Sequence, residues 1–192
     1  MAGKHAISEA GWYGHARRVP SANSDDRPAG VVVALIVIHN ISLPPGRFGG
    51  DSVERLFTNR LDPDAHPYFS GIAALRVSAH FLVSRTGGLT QFVSTSRRAW
   101  HAGTSEWRGM GRCNDYSIGI ELEGTDERPY TGKQYLRLGA LTRALVGRYP
   151  SIIGVAGHSE IAPDRKTDPG PAFEWKRFMT QSGLPQGFRN LT

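Results

Sequence analysis

A chain of 192 residues fits one domain with a substantial core, and 39% hydrophobic residues with 23 glycines and 12 prolines point to a loop-rich mixed fold, not a helical bundle. The 23 lysines and arginines against 17 acids leave a net charge of +6, yet they form no long run and no basic helical stripe, which argues against a nucleic-acid partner. No stretch approaches the roughly 18 apolar residues of a membrane span, so no membrane partner is expected either.

The single cysteine, Cys113, cannot form an internal disulfide and fits a reducing compartment. The first thirty residues show no apolar core behind a basic start, so a cytoplasmic location is expected.

In chain order, "VVVALIVIH" at 31–39 reads as a buried central strand ending in His39 and followed by the turn-rich "NISLPPGRFGG". "DSVERLFTNRL" places Val53, Leu56 and Phe57 on one helical face, with Asp51 or Ser52 as N-cap. "HPYFSGIAAL" fits a second short helix, and residues 76–93 form two strand-like runs about "RTGG", a hairpin signal. Residues 94–115 look irregular. In "YSIGIELEG", Ile118, Ile120 and Leu122 alternate with Gly119, Glu121 and Glu123, as in a strand with one apolar and one polar face. "TGKQYLRLGALTRALVGRYP" has Thr131 and Gln134 at capping-box spacing and an apolar helical stripe. "SIIGVAGH" reads as a strand ending in His158, and "PAFEWKRFMTQSG" as a last helix with Pro171 near its first turn.

Helices between strands, with one hairpin, predict a single-domain α/β (α+β) fold: a mixed central sheet flanked by helices. The domain is expected over residues 11–180, with 1–10 and 181–192 as loose termini. His39 and His158 each end a strand, where sites are usually built.

Two histidines and an acid suggest a metal. Catalytic zinc takes three protein ligands and keeps a fourth position open, and His39, His158 and Asp168 could supply them, although spacing alone does not bring His39 to His158. Any one of the seven histidines, taken singly, reads as a surface or satisfied core residue. Glu121 and Lys166, taken singly, read as solvated charges. "IAPDRKTDPGPAF" puts Asp164, Arg165, Lys166 and Asp168 on a loop stiffened by Pro163, Pro169 and Pro171.

Taken together, "LIVIHNISLPPGRFGG", "RVSAHFLVSRTGGLTQFV", "RAWHAG", "GRCNDYSIGIELEGTD" and "GHSEIAPDRKTDPGPAF" resemble the zinc-dependent N-acetylmuramoyl-L-alanine amidases, which share a peptidoglycan-recognition fold. The likeness runs from about Gly11 to about Phe178 and is greatest to the branch that acts on soluble 1,6-anhydro-muropeptides in the cytoplasm. It implies one zinc on His39, His158 and Asp168, catalytic roles for Glu121 and Lys166, and substrate contacts from Asn40, Arg76, Trp100 and Arg165. It implies no obligate protein partner. Zinc polarises an amide carbonyl and acidifies water to a pKa of about 7. Glu121 would then move protons and Lys166 would stabilise an oxyanion. His80 and His101 are left as packing or hydrogen-bonding residues near the cleft. The rival readings are an exported cell-wall amidase, a non-catalytic peptidoglycan-recognition module, which should lack a ligand or the lysine, and a basic nucleic-acid binder.

Overall fold

The computed structural model describes residues 6–189, so His5 and the outer parts of both expected loose termini lie outside the described residues. Its elements are β1 (Arg17–Arg18), β2 (Ser24–Asp26), β3 (Leu35–Ile41), α1 (Ser52–Phe57), α2 (Pro67–Ser70), β4 (Phe81–Val83), β5 (Leu89–Gln91) and β6 (Arg97–Ala99). There follow β7 (Glu106–Trp107), β8 (Met110–Gly111), β9 (Ser117–Glu123), α3 (Gly132–Arg148), β10 (Gly154–Gly157), α4 (His158–Ile161) and α5 (Trp175–Ser182). Six strands form one mixed sheet in the order β1-β5-β4-β9-β3-β10. The β4–β5 pair is the antiparallel hairpin, while β4–β9, β9–β3 and β3–β10 run parallel.

The side-chain period of two divides this sheet into its two layers. Ile36 and Ile38 of β3, with Ile118, Ile120 and Leu122 of β9, pack against Tyr135, Leu138, Leu141 and Leu145 of α3 and Phe178 of α5. Leu35 and Val37 point the other way, into a smaller core with Ala102, Trp107, Cys113 and Ile161. Leu35 through Ile38 are wholly buried, each worth about 1.5–3 kcal/mol of burial. His39 follows Leu35 and Val37 onto that second face. Glu121, its partner in the parallel register, stands beside it. α3 carries the predicted capping box, with Thr131 and Gln134 bonding each other's backbone N–H.

The structure departs from the sequence pattern in several places. Val31 and Val32 are exposed, and β3 begins at Leu35 and continues past His39 to Ile41. All of β9 is buried, so the expected polar face of that strand is covered too. His158 opens a one-turn helix, because Glu160 reaches back to the Gly157 N–H and starts α4 there. α5 begins at Trp175, four residues after Pro171, which lies in a preceding turn. Asp51 makes no cap bond, since its carboxylate takes Arg55 Nε at 2.7 Å. The supposedly irregular 94–115 contains β6, β7 and β8, too short to show a period. Residues 6–10 and 181–189, expected loose, carry contacts: Ile7 bridges Tyr13, Ser182 is buried, and Arg189 pairs with both oxygens of Glu160 at 2.6 and 2.7 Å.

Candidate active site

The ends of β3 and β10 and the loop after α4 meet at one rim of the sheet. There His39 Nδ1 lies 3.0 Å from His158 Nδ1 and 3.1 Å from Asp168 Oδ2, and His158 Nδ1 lies 3.2 Å from the same oxygen. His158 Nε2 is 3.1 Å from the Ala102 carbonyl. A carbonyl only accepts, so the network puts the His158 proton on Nε2 and leaves a lone pair on Nδ1. His158 Nδ1 and Asp168 Oδ2 therefore meet as acceptors, and His39 Nδ1 joins them at the same point, an acceptor when the His39 proton sits on Nε2. Their spacing is close to the roughly 3.3 Å between two ligand atoms each about 2.0–2.1 Å from a tetrahedral ion, so the donor set fits a metal.

The electrostatics agree. Burial, partly offset by the Asp168 hydrogen bond, pushes the imidazole of His39 down to about 4, which keeps it neutral and able to ligate. Burial would raise the Asp168 carboxyl, but its bonds to His158 and His39 outweigh that and hold it well below the usual range.

Glu121 lies in the same cleft, of about 400 Å³, with His39, Asn40, Trp100, His101, His158, Lys166 and Asp168. Its Oε2 is buried without a hydrogen-bond partner among the described residues. Burial first, then repulsion from Asp168, raise this carboxyl well above its ordinary value, with Lys166 opposing. A buried orphan oxygen is costly to keep. Here it faces a cleft.

The remaining expected contacts divide. Trp100 lines the cleft and donates from Nε1 to Asp25 at 3.2 Å. Asn40 is fixed to Asp126 at 2.7 Å. Arg165 lines an adjoining depression with Lys166 and Asp168, but its guanidinium is engaged by the carbonyls of Ala102 and Thr104. Arg76 is exposed, turns back onto the Ala74 carbonyl at 3.2 Å, and is not among the residues lining the cleft, although its neighbours Leu75 and Val77 are. Sequence reasoning missed the apolar wall made by Leu43, Ile72 and Leu75, and missed Tyr68. Their one sequence signal was large apolar residues in a segment rich in proline and glycine. A larger, shallower depression of about 870 Å³ behind the Arg165 loop holds none of the converging atoms.

A parallel-centred sheet carries, at one rim, a His–His–Asp cluster that could hold a metal ion, an orphan carboxylate and a lysine, a set of groups suited to hydrolysis. Residues 29–171 match the N-acetylmuramoyl-L-alanine amidase family, and the chain belongs to that family. It is 58% identical over 173 residues to the 1,6-anhydro-N-acetylmuramyl-L-alanine amidase AmpD of Citrobacter freundii, covering 90% of this chain and 92% of that one. The crystal structure of a selenomethionine AmpD derivative superposes with a TM-score of 0.88 at 57% identity, covering 90% of this chain and 97% of that one. The amidase AmiD from E. coli, solved with anhydro-N-acetylmuramic acid-L-Ala-D-gamma-Glu-L-Lys, gives a TM-score of 0.56 at 28% identity over 81% of this chain and 60% of that one. Among the described residues, no helix is long and apolar enough to cross a membrane.

Proposed function

We propose that this site binds one zinc ion through His39, His158 and Asp168 and hydrolyses the amide joining the lactyl group of 1,6-anhydro-N-acetylmuramic acid to L-alanine. The observation that carries the reading is the convergence of His39 Nδ1, His158 Nδ1 and Asp168 Oδ2 beside the orphan carboxylate of Glu121. Zinc supplies Lewis acidity, polarising the carbonyl and bringing water to a pKa of about 7.

Glu121 takes a proton from the attacking water as its oxygen joins the carbonyl carbon, and gives a proton to the amine nitrogen as the C–N bond breaks. Its raised affinity for protons suits that exchange. Lys166 holds a positive charge near the oxygen on which negative charge develops. Trp100 offers an aromatic face to the sugar. Asn40 and Arg165, which line the adjoining depression, are placed for the stem peptide, whose carboxylates suit a guanidinium partner, while Arg76 would reach it only by leaving the Ala74 carbonyl. The AmpD relatives, named for the anhydro substrate, support a recycling role on soluble wall fragments in the cytoplasm.

The recognition-module reading required a lost ligand or lysine, and all five residues are present. The deciding experiment measures zinc content by elemental analysis and peptide release from soluble anhydro-muropeptide and intact sacculus at matched bond concentration, before and after chelation. The expected result is one zinc per chain, a strong preference for the soluble fragment and loss of activity on chelation. Equal or faster release from sacculus would overturn the recycling assignment in favour of an exported wall amidase. Full activity without metal would overturn the zinc reading.

A further inference from the structure

We propose that residues 101–104 form a strap that orients both histidines of the metal centre, His101 through its side chain on His39 and Ala102 through its carbonyl on His158. This rests on the reading of those histidines as ligands. His101 Nδ1 lies 2.9 Å from His39 Nε2, and His101 Nε2 lies 3.1 Å from the Ser117 hydroxyl. The ligand reading selects one of the two proton arrangements this chain allows: His39 donates from Nε2 to His101 Nδ1 and His101 donates from Nε2 to Ser117, not Ser117 to His101 and His101 to His39. That arrangement leaves the His39 Nδ1 lone pair aimed at His158 and Asp168, as a ligand requires.

The strap is itself held. Asn114 Oδ1 accepts from the backbone N–H of His101 at 3.1 Å and of Ala102 at 2.8 Å. Arg165 donates to the Ala102 carbonyl at 2.7 Å and to the Thr104 carbonyl at 2.6 Å, so the oxygen that orients His158 is shared with a guanidinium. Two glycines make room. A Cβ on Gly119 would sit 2.4 to 2.7 Å from three atoms of the His101 ring, which explains a glycine in the middle of β9. Gly103 has φ +59°, and a Cβ there would press on the Arg165 guanidinium.

The strap thus gives His101 and Arg165 positioning roles, and for Arg165 that role is separate from any contact with substrate.

The test is zinc affinity by competition with a chromophoric chelator, together with the visible spectrum of the cobalt-loaded protein. His101→Leu should weaken zinc by about 10–100-fold, the usual cost of losing an outer-shell partner, and shift the cobalt bands. His101→Asn, which keeps an acceptor near the Nδ1 position, should recover most of both. Arg165→Met and Asn114→Ala should weaken zinc less than His101→Leu. If His101→Leu does not fold by circular dichroism, Arg165→Met decides the matter. Wild-type zinc affinity and cobalt spectrum in folded His101→Leu, or in Arg165→Met when that variant decides, would overturn the strap. Failure of the wild-type protein to take up zinc at all would instead remove the ligand reading on which it stands.

Discussion

His39 and His80 lie on either side of β9, both buried and both with imidazoles pushed down by burial, to about 4 and about 3. His80 has backbone partners at both ring nitrogens: Nδ1 accepts from the Gly119 N–H at 3.1 Å and Nε2 faces the Arg97 carbonyl at 3.1 Å, with the Arg27 guanidinium 3.2 Å from the same Nε2. His39 instead turns Nδ1 towards two other acceptors. Burial and a depressed pKa therefore do not separate a structural histidine from a functional one. What separates them is the company of the ring nitrogen: His39 Nδ1 meets a second imidazole nitrogen and a carboxylate oxygen at one point, where the proposed metal would sit.

The largest effect should come from removing one of the converging atoms. Asp168→Ala takes away one of the three proposed ligands, so zinc should be lost in dialysis and amide hydrolysis should become undetectable, by elemental analysis and product chromatography. The same measurements on His80→Asn should give full zinc occupancy. Zinc lost from His80→Asn and kept by Asp168→Ala would reverse the comparison.

Next come the groups in the cleft that hold no metal. Glu121→Ala should keep zinc while kcat falls by about 10²–10⁴, the usual contribution of a positioned acid–base group. It should also leave the fold at least as stable in urea, because it removes a buried carboxylate oxygen that has no partner among the described residues. Lys166→Ala should keep zinc and lose about 10²–10³ in kcat if the lysine stabilises the oxyanion. Loss of metal in either variant would exchange the roles of ligand and catalyst.

The sequence carried the fold through its long periodic segments: the apolar alternation of β9, the capping box and stripe of α3, and the β-branched run of β3 all have enough residues to show a period. It could not show β6 to β8, each two or three residues long, nor that Glu121 is buried, because the His101 ring that meets that face of β9 at Gly119 and the other residues of the cleft around Glu121 are distant in sequence. His39, His158 and Asp168 were legible as candidate ligands from residue type and strand ends, but their meeting across 119 positions, and the roles of Glu121 and Lys166, only through the joint resemblance of five motifs. Of the support around them, His101 was legible only as a hydrogen-bonding residue near the cleft, and the parts made of a backbone carbonyl or a missing Cβ were not legible at all. A carbonyl at Ala102 or an absent side chain at Gly119 has no composition or spacing signature of its own.

The smallest expected effect tests the structural half of the comparison through pH. His80 has a folded pKa of about 3 against an ordinary 6.5, driven by burial and then by the nearby Arg27 charge, with the Arg97 carbonyl opposing. Between those values the unfolded chain binds a proton that the folded chain does not, so stability falls as pH drops below 6.5 and is flat above it. From pH 7.5 to 5.5 this one histidine should cost about 1.4 kcal/mol of unfolding free energy. His80→Asn keeps an acceptor for the Gly119 N–H but cannot titrate. It should be less stable than the parent at pH 7.5, by about 1–3 kcal/mol for the Arg97 carbonyl left without its donor, yet lose less on acidification by that 1.4 kcal/mol. Urea unfolding of both proteins at the two pH values, zinc-loaded in each case so that other titrations cancel, reads the difference. An equal loss in parent and variant would mean that His80 is already charged in the fold, and the contrast with His39 would then have to rest on geometry without the shared electrostatics.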